Sequence, residues 1–216
     1  MEEEDDDLTP GEEQPDQLSS SIRRYEEMMR KKEHYFFDVD VLIRIIDHFT
    51  ETLEFQKALD VTKYAHTLHP HSISFTLKEA HLFALLGREE EALQLLDKVE
   101  RINPFDIDIY LIRGNVYNSL EQYPRAIACF KKALELADGQ KDDIWLSLAI
   151  TSQNMGDFSK AVDYYERCLT ENPTNEVAME EMITSLEFSR RLDDGITFFN
   201  KLIDDDPYGY MLWYYL

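Results

Sequence analysis

Three histidines have the most ligand-like spacing in the chain: His66, His69 and His71 lie on either side of Pro70. A zinc site needs three or four side chains that converge on the metal. These histidines could contribute to such a site, but a polar corner between two helices explains them more simply. We therefore predict no metal ligands in this segment.

Paired aspartates are the second candidate for metal chemistry. Asp38 and Asp40 return 68 residues later as Asp106 and Asp108, and a third acidic run covers residues 204–206. A calcium site needs a loop that closes oxygen ligands around the ion, and the sequence has no such loop at these positions. Asp38 and Asp106 are better interpreted as helix N-caps, with the following aspartates adding favourable charge in the first turn. The run at 204–206 has no comparable explanation.

The sequence contains none of the motifs that hold a nucleotide, a catalytic metal or an activated nucleophile, such as GxGxxG, HExxH or CxxC. Cys129 and Cys168 have no evident histidine and carboxylate partners. We interpret both as small core residues in a reducing compartment. The chain is therefore not expected to be an enzyme, and we predict no catalytic residue, no metal and no cofactor.

Prolines and alanines recur along the chain with a period near 34 residues. The prolines are 34, 69 and 34 residues apart and the alanines 34, 34 and 35, which places one inserted residue near residues 138–142. A fixed period of this size indicates stacked supersecondary units, each of which needs neighbours to bury its apolar face. The recurring residues are Pro70, Pro104, Pro173 and Pro207, and Ala58, Ala92, Ala126 and Ala161.

The clearest unit covers residues 105–138 and is predicted to form two amphipathic helices. Gly114 on the first helix would let another helix approach closely. The second helix begins near Pro124, a residue suited to the first helical position. Ala126, Phe130 and Ala133 then share one face of that helix, since they are spaced by four and three residues. We predict that an aromatic side chain packs into a close contact between the two helices.

These residues and this period resemble the tetratricopeptide repeat family, and the resemblance covers about residues 39–209. It implies an all-α fold, a right-handed superhelix or solenoid of helix-turn-helix units. The third and fourth units match the family pattern best, whereas the fifth departs from it, with Gly195 where alanine is usual. The five units are 39–72, 73–106, 107–141, 142–175 and 176–209.

Three segments lie outside these units. Residues 1–20 contain nine acidic residues and no Lys or Arg, which predicts a disordered tail. Residues 21–36 are predicted to form a helix that caps the first unit, because open repeat ends need a cover. Residues 210–216 resemble the start of a sixth unit that is truncated. We expect either a longer array or homo-association through this apolar C-terminal end.

The chain is strongly acidic, with 44 Asp and Glu against 22 Lys and Arg and a formal charge of −22. Nucleic acid and an anionic membrane surface are therefore not expected as partners, because both attract basic faces. No apolar run is long enough to span a membrane, and the N-terminus is the opposite of a basic signal sequence. We predict a cytoplasmic protein.

The resemblance also implies a concave groove lined by the first helix of each unit. Asparagine side chains in such a groove can donate to and accept from a peptide backbone. The lysine and arginine positions that would hold a chaperone's C-terminal carboxylate are not filled, so a heat-shock chaperone tail is not the expected ligand. The predicted groove residues are Leu77, Lys78, His81, Leu111, Asn115, Asn118, Leu146, Ile150 and Asn154.

The resulting prediction is a non-enzymatic scaffold that binds a protein or peptide segment, net basic, in this groove. The alternative is an assembly or regulatory module of a longer multidomain protein whose activity lies beyond residue 216. A third possibility, an RNA-binding helical repeat, conflicts with the charge. Glu79 and Arg113 occupy equivalent places in consecutive units, and we predict that they form an ion pair.

Overall fold

The computed structural model describes residues 15–215, and within this range the chain forms twelve helices and no strand. The predicted all-α fold of consecutive helix pairs is thereby confirmed. The helices are α1 (Pro15–Lys31), α2 (Val39–Glu51), α3 (Phe55–Leu68), α4 (Ile73–Leu85), α5 (Glu89–Ile102), α6 (Ile107–Ser119), α7 (Tyr123–Leu136), α8 (Asp142–Asn154), α9 (Phe158–Glu171), α10 (Glu176–Ser189), α11 (Leu192–Asp205) and α12 (Tyr210–Tyr215).

The chain consists of two compact units, with the boundary between Leu86 and Gly87. In the N-terminal unit α1 packs on α2, and α3 packs on both α2 and α4. In the C-terminal unit each helix from α5 to α12 packs on the next one along the chain. Each helix therefore packs on its sequence neighbours within its own unit.

The first helix differs from its prediction in both boundaries. It begins at Pro15 and ends at Lys31 instead of covering residues 21–36. Proline suits the first helical position because its missing N–H has no intrahelical partner there. The predicted disordered tail falls largely outside the described residues, and its last part, residues 15–20, is helical. Tyr25 and Met28 of α1 are buried in the core of the N-terminal unit, whereas Met29 is half exposed.

In five helix-to-helix turns, the residue at the C-cap position or directly after it has a positive φ. Gly87 and Gly156 take this conformation without steric cost, and Leu53, Glu121 and Arg190 adopt it with φ near 60°. Such a residue ends the helix and lets the chain reverse within three residues. These turns position each second helix against the first.

Helix starts agree with the N-caps predicted at Asp38 and Asp106, and two further helices begin in the same way. The helices α2, α4, α6 and α10 begin one residue after Asp38, Ser72, Asp106 and Asn175. Side-chain capping bonds occur at two of these: Asp106 accepts from the Asp108 N–H at 3.2 Å, and Asn175 accepts from the Ala178 N–H at 2.9 Å. Asp38 and Ser72 form no side-chain capping bond.

The close contact predicted at Gly114 is confirmed. A Cβ atom added there would lie 2.5 Å from Cε1 of Phe130, so the aromatic ring fills the space that a side chain would need. Phe130 is 1% exposed and Ala126 and Ala133 beside it are fully buried. Two small residues around one ring thus bring α6 and α7 together.

In the last helix, α12, Leu212 is buried. Leu212 packs into the core of the C-terminal unit, while Trp213 and Tyr214 are 56% and 78% exposed. The Trp213 indole N–H donates to the Pro207 carbonyl at 3.1 Å. Leu216, the end of the predicted sixth unit, lies outside the described residues.

Candidate functional site

Six of the predicted groove residues lie on α6 and α8, which contact each other in the C-terminal unit. Asn115 and Asn154 are exposed, and the apolar side chains beside them are half-buried. The Asn154 side-chain N–H donates to the Asn118 amide oxygen at 3.5 Å, a long bond that joins the two helices weakly. We call this surface the amide face; its residues are Leu111, Asn115, Asn118, Leu146, Ile150 and Asn154.

The three predicted groove residues on α4 belong to the N-terminal unit and differ in accessibility. Leu77 is only 7% exposed, so its side chain offers little surface to a ligand. Lys78 is half-buried and forms an ion pair with Asp47 of α2. His81 is half-buried. Lys78 and His81 are thus the members of this group that retain an accessible polar part.

Gln153, on α8, has a structural role that the sequence interpretation missed. Its amide oxygen accepts hydrogen bonds from the Tyr165 hydroxyl at 3.0 Å and from the Ser185 hydroxyl at 2.7 Å. Its amide nitrogen donates to Glu181 at 2.6 Å. The side chain is therefore fully engaged in joining α8, α9 and α10.

A signal for this network was present in the sequence. Tyr165 occupies the repeat position that Phe130 occupies one unit earlier, and both side chains are buried. The tyrosine adds a hydroxyl that needs a partner when it is buried. Gln153 stands where the preceding unit has Asn118, and its longer side chain supplies that partner.

Arg113 and Glu79, predicted to pair with each other, have different partners. The Arg113 guanidinium contacts Glu100 at 2.8 Å and Asp97 at 3.0 Å, and the side chain is only 11% exposed. Its hydrogen bond to Glu100 holds the pKa of that carboxyl below its usual value. Glu79 contacts His66 at 3.2 Å. Each charge is therefore satisfied by a neighbouring helix within its own unit.

The surface around the amide face is acidic. On α8 and α10, Asp143, Glu176, Glu180 and Glu187 are exposed. Exposed carboxylates of one sign attract cationic partners over roughly one Debye length, about 8–10 Å in physiological salt.

Metal binding and nucleophilic catalysis find no support in the described residues. Over residues 15–215 no group of three or more His, Cys, Asp or Glu side chains is arranged to hold a metal ion. In the histidine cluster, His69 bonds the Phe37 carbonyl at 2.9 Å, away from the His66 contact with Glu79. Burial raises the pKa of the Cys168 thiol to about 12, which disfavours a reactive thiolate.

The part of the chain that the structure describes also contains no helix that is both long and apolar enough to cross a membrane.

The acidic run near the end of α11 has a local structural role. Asp206 is the C-cap of that helix, and its carboxylate accepts a hydrogen bond from the Tyr208 N–H at 3.2 Å. One of the three aspartates therefore shapes the following turn.

Comparisons with known proteins identify the repeat. Models of the tetratricopeptide repeat match residues 107–139 and 142–175. Human Tetratricopeptide repeat protein 16 is 28% identical over 67 residues, which are 31% of this chain and only 8% of that protein's length.

Two solved structures have the same fold. The crystal structure of TTC0263, a thermophilic TPR protein of Thermus thermophilus, has a TM-score of 0.65 and 22% identity, covering 79% of this chain and 91% of that one. The structure of YrrB, a TPR protein with an unusual peptide-binding site, has a TM-score of 0.52 and 16% identity, covering 91% of this chain and 96% of that one. Residues 107–139 and 142–175 thus match the tetratricopeptide repeat, and the chain has the same fold as solved proteins that contain it.

Proposed function

We propose that this protein is a non-enzymatic scaffold that binds a net basic protein segment, extended or helical, along the first helices of its repeats. The observation that carries the proposal is the amide face. Exposed Asn115 and Asn154 stand beside half-buried Leu111, Leu146 and Ile150 on two adjacent helices. Lys78 and His81 belong to the N-terminal unit and remain predicted ligand contacts within that unit.

Each part of this face would contribute a different kind of interaction. The partly buried leucine and isoleucine side chains would lose their remaining contact with water. This burial would stabilise the complex by about 25 cal/mol per Å² of apolar surface. The asparagine amides would donate to and accept from the backbone of the bound segment, which gives orientation without a demand on its side chains. The surrounding carboxylates would accelerate encounter with a basic partner and disfavour acidic ones.

Gln153 is not part of this proposal, although its repeat position is a groove position. Its amide already bonds Tyr165, Ser185 and Glu181. A ligand that used it would leave buried hydroxyl groups without partners, at a cost of about 1–3 kcal/mol for each.

The test is selection of peptides from a displayed random library on the full chain, followed by calorimetry at two salt concentrations. We expect the selected peptides to be net basic and to bind more weakly as the salt concentration rises. The double variant Leu111→Ala with Asn115→Ala should bind them at least about tenfold more weakly, from lost apolar burial and one hydrogen bond. Peptides that bind the double variant as tightly as the wild type would refute the proposal.

A matched control uses the same residue types elsewhere on the surface. Leu192 and Asn200 are exposed on α11, a second helix. Leu192→Ala with Asn200→Ala should therefore leave peptide binding unchanged. Loss of binding in this control would show that the effect of the groove variant was not local.

The alternative function is an assembly or regulatory module of a longer polypeptide. This alternative is favoured by the match to Tetratricopeptide repeat protein 16, because the 67 matched residues form only 8% of that protein's length. Homo-association through exposed Trp213 and Tyr214 is a related proposal. Sequencing the reading frame past Leu216 tests the first, and sedimentation of the chain with and without Trp213→Ser tests the second.

A further inference from the structure

A pocket of about 280 Å³ lies in the N-terminal unit, between α1 and the hairpin formed by α2 and α3. It is separate from the amide face, which belongs to the C-terminal unit. Its wall is largely apolar, formed by aromatic rings and a methionine, and three ionisable side chains complete it. We call it the N-terminal pocket; its lining residues are Tyr25, Glu26, Met29, Phe49, Lys57 and Asp60.

Tyr25 provides the strongest evidence for a ligand. Its side chain is 4% exposed, and its hydroxyl has no hydrogen-bond partner among the residues that the structure describes. Its ring packs edge-on against Phe37 and Tyr64, which fixes its position. Leaving a buried hydroxyl without a partner is unfavourable, so native proteins rarely do so without a reason. A polar atom of a bound group would supply the missing partner.

Burial raises the pKa of the Tyr25 hydroxyl, and the nearby Asp60 carboxylate acts in the same direction. The hydroxyl therefore stays protonated at physiological pH. A phenolic O–H can both donate and accept. Either an N–H or an oxygen of the bound group can satisfy it.

The ionisable side chains favour a positively charged neighbour for that group. Glu26 and Asp60 carry two negative charges against the single positive charge of Lys57. The Lys57 ammonium is itself engaged: it lies 5.1 Å from the centre of the Phe49 ring, 3.9 Å from Glu26 and in an ion pair with Glu54. Asp60 in turn forms an ion pair with Lys63 at 3.3 Å. With these partners included, Glu26, Glu54 and Asp60 face Lys57 and Lys63, so the pocket mouth has a net charge of −1.

We propose that the N-terminal pocket binds one aromatic side chain of a partner protein, with a basic residue next to it in the partner's sequence. A volume of about 280 Å³ is large enough for one aromatic side chain and lies at the small end of ligand pockets, which are about 300–1,000 Å³. Aromatic anchors in such pockets dominate many interfaces, since they bury a large area at low entropic cost. The adjacent basic residue would lie against Glu26 and Asp60.

Blocked dipeptides serve as probes of this site in the full chain. Acetyl-Trp-Arg-amide has the ring, a hydrogen-bonding N–H and the positive charge, acetyl-Trp-Glu-amide reverses the charge, and acetyl-Ala-Arg-amide lacks the ring. Titrations followed by NMR should give saturable shifts at Tyr25, Met29 and Phe49 with the first probe. The second should bind at least about threefold more weakly, and the third should not saturate. No saturable shift at these residues with the first probe would overturn the proposal.

Variants separate recognition from a structural effect. Tyr25→Phe should weaken the first probe about fivefold, the loss of one hydrogen bond, while its urea midpoint stays equal to or above that of the wild type. A lowered midpoint, or unchanged binding, would contradict the proposal. Tyr35→Phe, which removes a hydroxyl bonded to Glu33 outside the pocket, should leave binding unchanged.

A second variant places a charge at the mouth. Met29 is 48% exposed, so Met29→Arg is compatible with folding, and it should weaken the first probe at least about tenfold by repulsion and occlusion. The double variant Leu111→Ala with Asn115→Ala should bind the probe like the wild type. Loss of binding in that double variant would assign the shifts to the amide face and refute the N-terminal pocket.

Discussion

Replacing Gly114 by alanine tests the close contact between α6 and α7. The added Cβ would lie 2.5, 2.7 and 2.8 Å from three atoms of the Phe130 ring. Carbon atoms without a bond between them prefer about 3.5–4.0 Å, so either the ring or α6 must move by about 1 Å. Phe130 is 1% exposed, so its ring is enclosed by neighbouring residues.

Two effects of opposite sign determine the size of the change. Overpacking a well-filled core costs about 1–3 kcal/mol. Alanine in a helix interior is about 1 kcal/mol more favourable than glycine. We expect Gly114→Ala to lower the free energy of unfolding by up to about 2 kcal/mol. Urea denaturation followed by far-UV circular dichroism measures this, and hydrogen exchange should show faster opening of α6 and α7, because repeat arrays lose stability locally.

A control and a suppressor make the test specific. Gly139 has no heavy atom within 4 Å of an added Cβ, so Gly139→Ala should not destabilise the chain. Phe130→Leu should relieve the clash, so the double variant with Gly114→Ala should be more stable than the sum of the single changes by about 1 kcal/mol. The close-contact explanation is refuted if Gly114→Ala stabilises the protein, or if the two changes are additive.

Three further predictions use the same urea assay. Gln153→Leu should cost about 2 kcal/mol because it leaves two buried hydroxyls without an acceptor, and an unchanged midpoint would mean that water replaces the amide. Glu100→Gln should be less stable than the wild type at pH 7. Because Arg113 lowers the folded-state pKa of Glu100, this difference should shrink as the pH falls below the unfolded value of about 4.3; a constant difference down to pH 3 contradicts the pairing. Gly156→Ala should lower the free energy of unfolding by about 1 kcal/mol, because alanine is strained at the Gly156 φ of 84°. Leu53→Gly, at a φ of 61°, should be neutral or stabilising. The turn argument is refuted if Leu53→Gly destabilises the chain more than Gly156→Ala does.

Much of the fold follows from repetition. The spacing of Pro70 and Pro104, and the small residues around Phe130, are local properties of a helix hairpin. A hairpin of this kind is built from contacts between residues close in sequence, so its position and its packing face can be predicted without coordinates. The N-caps followed in the same way, because a cap is defined by one residue and the helix after it.

The candidate site was predicted less completely. A repeat position states which side of a helix a residue is on, but it does not state how deep the residue lies. Leu77 and Leu111 hold the same repeat position, yet the first is buried and the second is half-buried. Accessibility depends on the sizes of neighbouring side chains from other helices, and these differ from one unit to the next.

Periodicity in the chain is thus sufficient to predict the helix pairs and the positions of their turns, because those features arise within about 34 consecutive residues. The partners of individual polar groups needed three-dimensional coordinates. Arg113 pairs with Glu100, Gln153 joins three helices, and the Tyr25 hydroxyl is left without a described partner beside a pocket. Such pairings depend on distances of a few ångströms between helices, and the spacing of residues along the chain contains no information on those distances.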